Sequence, residues 1–159
     1  MVGSTHEPDR TSNPVDVHRT AAERLRHDDQ RYTAGRRAIV AALAEAPRPL
    51  TIAELLARVP TLAQSSTYRN LAVLEQARIV HRVIGTDEFT RFELTEELAG
   101  HHHHLICSSC GDVADFTVDP ALEVLLAEAA QQVGADTGFS TAHHRLDLVG
   151  TCADCRDAR

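Results

Sequence analysis

The chain contains no lysine and no tryptophan, and aromatic residues make up only 4% of it. So few aromatics exclude the stacked-base platforms with which proteins hold single-stranded nucleic acid. No apolar run approaches the ~18 residues of a transmembrane helix, and no apolar stretch follows a basic start. A cytoplasmic protein with no membrane partner is expected. There is also no His-Glu-x-x-His motif, no glycine-rich phosphate loop and no Ser-His-Asp arrangement, which argues against an enzyme and a small-molecule substrate. Every basic residue is arginine. That fits codon bias as well as it fits bidentate contacts to phosphate and guanine.

What is present is 159 residues, 43% apolar and 25% charged, enough for one or two small globular domains. The formal net charge of −7 argues at first against a polyanionic partner. It hides an asymmetry, because residues 1–84 carry +3 and residues 85–159 carry −10, while residues 18–82 alone carry +5. The positive segment is the one that DNA would meet.

Residues 1–17 mix Pro, Ser, Thr, Asn and charge and read as a mobile tail, with His6 a solvated residue within it. Helices are expected over about 18–29, from Thr33 as N-cap through residue 46, over 51–59 with Thr51 and Glu54 as a capping box, and from Ser65-Ser66 to residue 77. Two strand-like runs, 79–84 and 89–94, flank a Gly85-Thr86-Asp87-Glu88 turn. Short helices followed by a hairpin are the pattern of a winged helix-turn-helix. The remainder reads as strands 101–107 and 112–118 around a Cys-x-x-Cys-Gly turn, an amphipathic helix opened near Asp119-Pro120, and a strand over 141–150. The expected fold class is therefore α+β, with a winged-helix DNA-binding domain over 18–96 and a small α/β dimerisation domain over 101–159.

On the fourth helix, Thr67, Leu71, Leu74 and Arg78 share one face, while Ser65, Arg69, Val73 and Gln76 point away and Tyr68 falls at the edge. Its N-terminus offers hydroxyls, backbone N–H groups and an arginine fork to a DNA groove. The alternative is that Tyr68 packs on a neighbouring helix and Arg69 is merely solvated. Arg31 ahead of the second helix, and Arg36 and Arg37 in its first turn, sit where the helix dipole disfavours cations. A phosphate backbone nearby would offset that.

Cys107-x-x-Cys110 and Cys152-x-x-Cys155 use every cysteine in the chain. Two such turns meeting give the thiolate set of a structural Zn²⁺ site, whereas a thiol oxidoreductase needs one pair at a helix start. In a strand, His101 and His103 would face one side and His102 and His104 the other, so one strand could feed two metal sites; the alternative is a polar tract. Further donors could come from His81, Glu93, Glu123 and His143 or His144.

These residues together resemble the ferric uptake regulator family of metal-responsive bacterial repressors, over about residues 24–155. The resemblance is carried by Ser66-Thr67-Tyr68-Arg69-Asn70-Leu71, Arg91-Phe92-Glu93, HHHHLICSSCG, and Gly150-Thr151-Cys152-Ala153-Asp154-Cys155. It implies a homodimer on a palindromic double-stranded DNA operator, with Arg31, Ser65, Ser66, Thr67, Tyr68 and Arg69 at the DNA. It implies structural zinc on Cys107, Cys110, Cys152 and Cys155, and a second metal site of His101, His103, Glu123 and His144. The regulatory site would use Glu93, His102 and His104, with His81 as fourth ligand because Pro49 stands where iron-type members place a histidine. No peroxide-sensor pattern of His plus Asp ligands is expected. Zn²⁺ is the expected regulatory cation, with Fe²⁺ as the alternative suggested by Glu93, nickel or manganese after it, and a zinc hydrolase as the reading from another class. Ligand imidazoles must be neutral, so operator affinity is expected to fall as pH drops through about 6.5.

Overall fold

A computed structural model describes residues 16–158. The expected tail lies outside the described residues up to position 15, and His6 with it. Helix α1 (Val17–His27) starts on Asp16, whose carboxylate accepts from the Arg19 N–H at 3.1 Å, and it buries Ala21 and Leu25. Helix α2 (Ala34–Ala44) is capped by the Thr33 hydroxyl and buries Ile39, Val40, Ala42 and Leu43. A two-residue strand that the sequence did not suggest, β1 (Leu50–Thr51), precedes α3 (Ile52–Arg58). The capping box forms as expected: Glu54 accepts from the Thr51 N–H at 2.7 Å, and the Thr51 hydroxyl accepts from the Glu54 N–H at 3.2 Å.

Helix α4 (Gln64–Gln76) inserts Thr67, Leu71 and Leu74 into this core. Two details differ from the helical-wheel expectation. Val73 is half-buried against the core instead of pointing away, and Arg78 is not on the buried face at all, because the helix has ended. Arg78 instead takes φ +53°, a left-handed conformation that costs a side chain about 1 kcal/mol and that glycine adopts freely. Its carbonyl accepts from Arg24 and from the Thr95 hydroxyl, bonds that any residue there would keep. Arg78→Gly is therefore expected to stabilise the chain by about 0.5–1 kcal/mol. Urea unfolding checks this, and a lower midpoint for the variant would contradict it.

Strands β2 (Val80–Ile84) and β3 (Thr90–Leu94) form the wing, and with β1 they make an antiparallel sheet in the order β1-β3-β2. The hydrogen-bond register sets His81 directly opposite Glu93. Between the two expected domains the chain forms a helical turn, α5 (Glu96–Ala99), whose Leu98 joins the same core as Leu25, Leu55 and Leu74. Each fully buried leucine there contributes roughly 1.5–3 kcal/mol of transfer free energy.

Strands β4 (His103–Cys107) and β5 (Val113–Phe116) form an antiparallel hairpin, and β6 (Asp147–Gly150) runs parallel to β4 on its other side. That register places Asp115 on β5 and Asp147 on β6 opposite the same residue, His104. The last strand is shorter than its alternating pattern suggested, so His143 and His144 lie in the loop ahead of it, not within it. Helix α6 (Pro120–Thr137) packs so loosely in the single chain that it buries only Gly134, leaving Leu122, Val124, Leu125 and Val133 exposed. A short helix, α7 (Ala153–Asp157), closes the described chain. The architecture is thus a winged helix-turn-helix followed by a small α/β unit. Among the described residues, no helix is long and apolar enough to cross a membrane.

Candidate metal centres and nucleic-acid interface

Among the described residues, three groups of potential ligands form, each with its donor atoms within 4.8 Å of one another. The first is Cys107, Cys110, Cys152 and Cys155, all free thiols. Cys107 ends β4, and Cys152 caps α7 beyond β6, so the parallel pairing of Cys107 with Gly150 brings the two turns together. Cys110 Sγ and Cys152 Sγ lie 3.8 Å apart. Four sulfurs at ~2.3 Å around a tetrahedral Zn²⁺ would be spaced by about that distance. Backbone N–H groups, led by that of Cys152, hold the Cys107 thiol down at about 6, whereas the Cys152 and Cys110 thiols push Cys155 up to about 12. Four thiolates cannot share this space without a compensating cation, and a divalent soft-tolerant metal is what the set fits.

The second group is His101, His103, Glu123 and His144. His103 Nε2 is 2.7 Å from one Glu123 oxygen, while His101 Nε2 and His144 Nε2 are 3.3 Å and 3.2 Å from the other. His144 Nε2 is buried and faces the Glu123 oxygen without hydrogen-bond geometry. Burial pushes the Glu123 carboxyl up, but the hydrogen bond from His103 and the neighbouring imidazoles outweigh it and hold the group below its ordinary value. Glu96, on the unforeseen α5, adds a carboxylate 3.1 Å from His101 Nδ1.

The third group is Glu93, His102, His104 and Asp115. Glu93 projects from the wing strand, the histidines from the start of the second sheet, so this cluster draws on both halves of the chain. His102 Nδ1 donates to the Gly100 carbonyl at 2.9 Å, which turns Nε2 toward Glu93 at 3.2 Å. His104 Nε2 lies 3.2 Å from the same carboxylate and 3.9 Å from Asp115. Its Nδ1 is 3.5 Å from Asp147. Burial alone would raise Glu93, yet His102, His104 and His81 together hold it far below the usual carboxylate range. In return the Glu93 hydrogen bond, working against burial, lifts His102 to about 9.

Two expectations change here. His81 does reach Glu93, at 2.7 Å, but it stands outside the set of mutually close donors, where the structure places Asp115 instead. A His-plus-Asp arrangement that was not expected is therefore present. Pro49 is buried and offers no ligand atom. Asp115 was missed although its signal existed: counting outward from the Cys107–Cys110 turn pairs residue 104 with residue 115.

At the other end of the chain, α4 has Ala63 as N-cap and no side-chain cap, so its first N–H groups are open to an anion. Tyr68 is 55% exposed, and Ser65 and Arg69 are exposed beside it. Thr67 must be removed from the set of surface contacts, since it is fully buried and its hydroxyl donates to the Ala63 carbonyl at 3.0 Å. The Ser66 hydroxyl donates to the same oxygen at 2.8 Å. Arg31 is exposed, Arg36 is tied back to the Arg31 carbonyl at 2.6 Å, and Arg37 lies over the Tyr32 ring. Between α3, α4 and the wing runs a cleft of about 460 Å³ lined by Ile52, Leu56, Tyr68, Arg82 and Phe89. On this geometry Arg69→Ala is expected to weaken duplex binding by about 1–3 kcal/mol, and Tyr68→Phe to weaken it less, both without change in metal content. Gel-shift titration beside elemental analysis checks both, and unchanged affinity for Arg69→Ala would move the reading surface elsewhere.

The family model described as "Ferric uptake regulator family" matches residues 27–149. The Peroxide operon regulator of Bacillus subtilis (strain 168) is 30% identical over 139 residues, covering 85% of this chain and 90% of that protein. A zinc-bound manganese uptake regulator of known structure is 30% identical with a TM-score of 0.60, covering 84% of this chain and 98% of that one. The Helicobacter pylori ferric uptake regulator, 22% identical, shares the fold with a TM-score of 0.67 over 91% of this chain and 97% of its own.

Proposed function

The chain belongs to the ferric uptake regulator family and is one of its metal-responsive transcriptional regulators, and from that premise we propose that it is a repressor that grips a palindromic operator as a homodimer when a divalent cation occupies the Glu93 group. Residues 18–96 act as the DNA-binding module and residues 101–159 as the dimerisation module, in the cytoplasm where the operator is. The observation that carries the reading is Glu93, a wing residue within 3.2 Å of His102 and His104 from the other module. A cation there would supply two positive charges to Glu93 and Asp115 and bind the modules into one orientation. The residues do the rest. His102 Nε2 surrenders its proton, Gly100 keeps the ring's other N–H engaged, and the exposed apolar face of α6 supplies a surface for the second copy. Cys107, Cys110, Cys152 and Cys155 would hold structural zinc, and His101, His103, Glu123 and His144 a further cation. By linkage, whatever factor the cation adds to operator affinity the operator adds to cation affinity.

Zn²⁺ is the effector we assign first, because three imidazoles, those of His81, His102 and His104, lie within 3.2 Å of the Glu93 carboxylate. One observation favours a second reading. Asp115 adds a hard oxygen donor, which suits Fe²⁺ or Mn²⁺, and relatives of this chain carry the names of a peroxide regulator and a manganese uptake regulator. A gel-shift series on a palindromic AT-rich operator with EDTA, Zn²⁺, Fe²⁺, Ni²⁺ and Mn²⁺ decides. A shift with Zn²⁺ alone supports the first reading, a shift with Fe²⁺ or Mn²⁺ that hydrogen peroxide reverses in the Fe²⁺ case supports the second, and no metal-dependent shift rejects the repressor.

The ordinary histidine value placed the pH response near 6.5, and His102 at about 9 moves it upward. Cation binding must displace the His102 proton at any pH below about 9, so apparent affinity is expected to fall about tenfold per pH unit beneath that point. The cation-free protein behaves oppositely. A histidine raised on folding stabilises fully below its unfolded value and ceases to as pH climbs through its folded value, so stability is expected to drop between about 6.5 and 9, by about 2 kcal/mol after solvent screening. Thermal melts of protein carrying only Cys-bound zinc check the sign, and a melting temperature that rises over that window contradicts it.

A further inference from the structure

Beside the Glu93 cluster, the two halves of the chain touch at a second place, where the β2–β3 turn meets the Cys107–Cys110 turn. The Thr86 hydroxyl donates to the Cys107 carbonyl at 2.8 Å. Gly111 has φ +72°, and a Cβ on it would sit 2.3 Å from the Asp87 carboxylate, so the turn is pressed against Asp87 as only glycine permits. Asp87 is fixed in that position by a two-pronged pair with the buried Arg91, at 2.7 Å on each oxygen. Arg48, ahead of β1, reaches Asp112 at 3.8 Å while bonding Glu54 of α3 at 2.5 Å. Beneath these polar contacts Val83 of β2 packs with Ile106 and Val113 of the β4–β5 hairpin in an apolar cluster separate from the main core.

We propose that the Cys107–Cys110 turn is a latch for the wing, and that Thr86, Asp87, Arg91 and Asp112 are positioning residues that orient the DNA-binding module independently of the Glu93 cation. Three kinds of interaction agree on one orientation: a directional hydrogen bond, a charge network in which the Asp87–Arg91 pair is shielded and Asp112 stays half exposed, and an apolar patch. None uses a side chain from the three ligand groups, since Cys107 takes part through its carbonyl oxygen alone. The Glu93 cation thus has less entropy to remove than it would in an untethered pair of modules, because the wing already stands near the closed orientation. Phe89, beyond the latched residues, stays exposed on the cleft that faces Tyr68.

The geometric claim stands without the repressor reading; its effect on operator binding rests on it. The test uses the full-length dimer carrying Cys-bound zinc, with and without saturating Mn²⁺ or Zn²⁺. Thr86→Val combined with Asp112→Asn removes the hydrogen bond and the long ion pair without stranding Arg91, Thr86→Ser preserves the hydroxyl, and Gly111→Ala drives a methyl into Asp87. The double variant and Gly111→Ala should keep one Cys-bound zinc per chain and the dimer, show a larger maximum dimension by small-angle scattering in the cation-free form, and bind the AT-rich operator about tenfold more weakly at saturating cation. Thr86→Ser should match the parent chain. Scattering identical to the parent, operator affinity within about twofold of it, or loss of zinc from the double variant each overturns the latch. If the parent chain itself shows no cation-dependent operator binding, the repressor reading fails while the scattering comparison still decides on the latch.

Discussion

His102→Ala with His104→Ala should erase cation-dependent operator binding, so that operator affinity at saturating cation falls to the value measured in EDTA. The loss expected is the whole coupling between the two ligands, about 5–150-fold for systems of this kind. The reason is that these imidazoles are the second module's nitrogen donors to Glu93, at 3.2 Å each, and Asp115 alone cannot join the wing to the second sheet. His102 is partly exposed at the module junction, and His104 has Asp115 and Asp147 on either side, so the substitutions leave both sheets paired. The dimer and its Cys-bound zinc should survive. Glu93→Gln sharpens the test, because it keeps the side chain's shape but removes the charge that lifts His102 to about 9. In that variant the pH at which cation binding weakens should move back toward about 6.5, together with a weaker affinity at every pH. Retention of cation-dependent operator binding by the double histidine variant would put the regulatory site elsewhere, with the His101 group as the next place to look.

The parts of this site that sequence revealed were those set by short-range geometry. Alternation along one strand separated His101 and His103 from His102 and His104, and the structure delivers the two pairs to different carboxylates, Glu123 and Glu93. Capping chemistry at Thr33 and at Thr51 with Glu54 placed two helix starts to the residue. Cys-x-x-Cys turns carry their own geometry, so the four-sulfur group followed from spacing once the two turns met. What escaped was set at longer range. Asp147 faces His104 through a parallel pairing of β4 with β6 across some forty residues, for which no local pattern exists. The start of β6 at residue 147 was invisible because Arg145 and Leu146 already carry the alternation although the strand begins only after them. Thr67 looked like a groove contact by its place in a motif, yet one turn of helix rotates it into the core, where its hydroxyl bonds the Ala63 carbonyl. The Thr86 contact to the second turn joins segments that share no periodicity at all.

Cys107→Ser should cost more than any other single change, and its expected result is loss of the second sheet together with the dimer. The argument starts from how little else holds that part of the chain. Its separate apolar cluster comprises only Val83, Ile106 and Val113, and one of those belongs to the wing. Helix α6 buries only Gly134 and leaves Leu122, Val124 and Leu125 exposed, so within one chain it contributes little. β6 is joined to β4 by parallel pairing and by the Ser108 N–H and hydroxyl, both donating to the Gly150 carbonyl. Against this small core, four thiolates on Zn²⁺ can supply ~10–16 kcal/mol at neutral pH, comparable with the ~5–15 kcal/mol total stability of an ordinary domain. A serine hydroxyl does not ionise near neutrality and is a poor ligand for Zn²⁺, so one substitution removes much of that term. It also removes the sulfur that accepts the Cys152 N–H at 3.3 Å, the contact that seats the second turn on the first. Zinc content, sedimentation and far-ultraviolet circular dichroism of the purified variant read the outcome. Zinc well below one per chain, a monomer and reduced strand signal are expected, with the main core around Leu25, Ile39 and Leu74 still folded because it draws no residue from the second sheet. A variant that remains dimeric and retains full zinc would show that Cys107 is not a structural ligand.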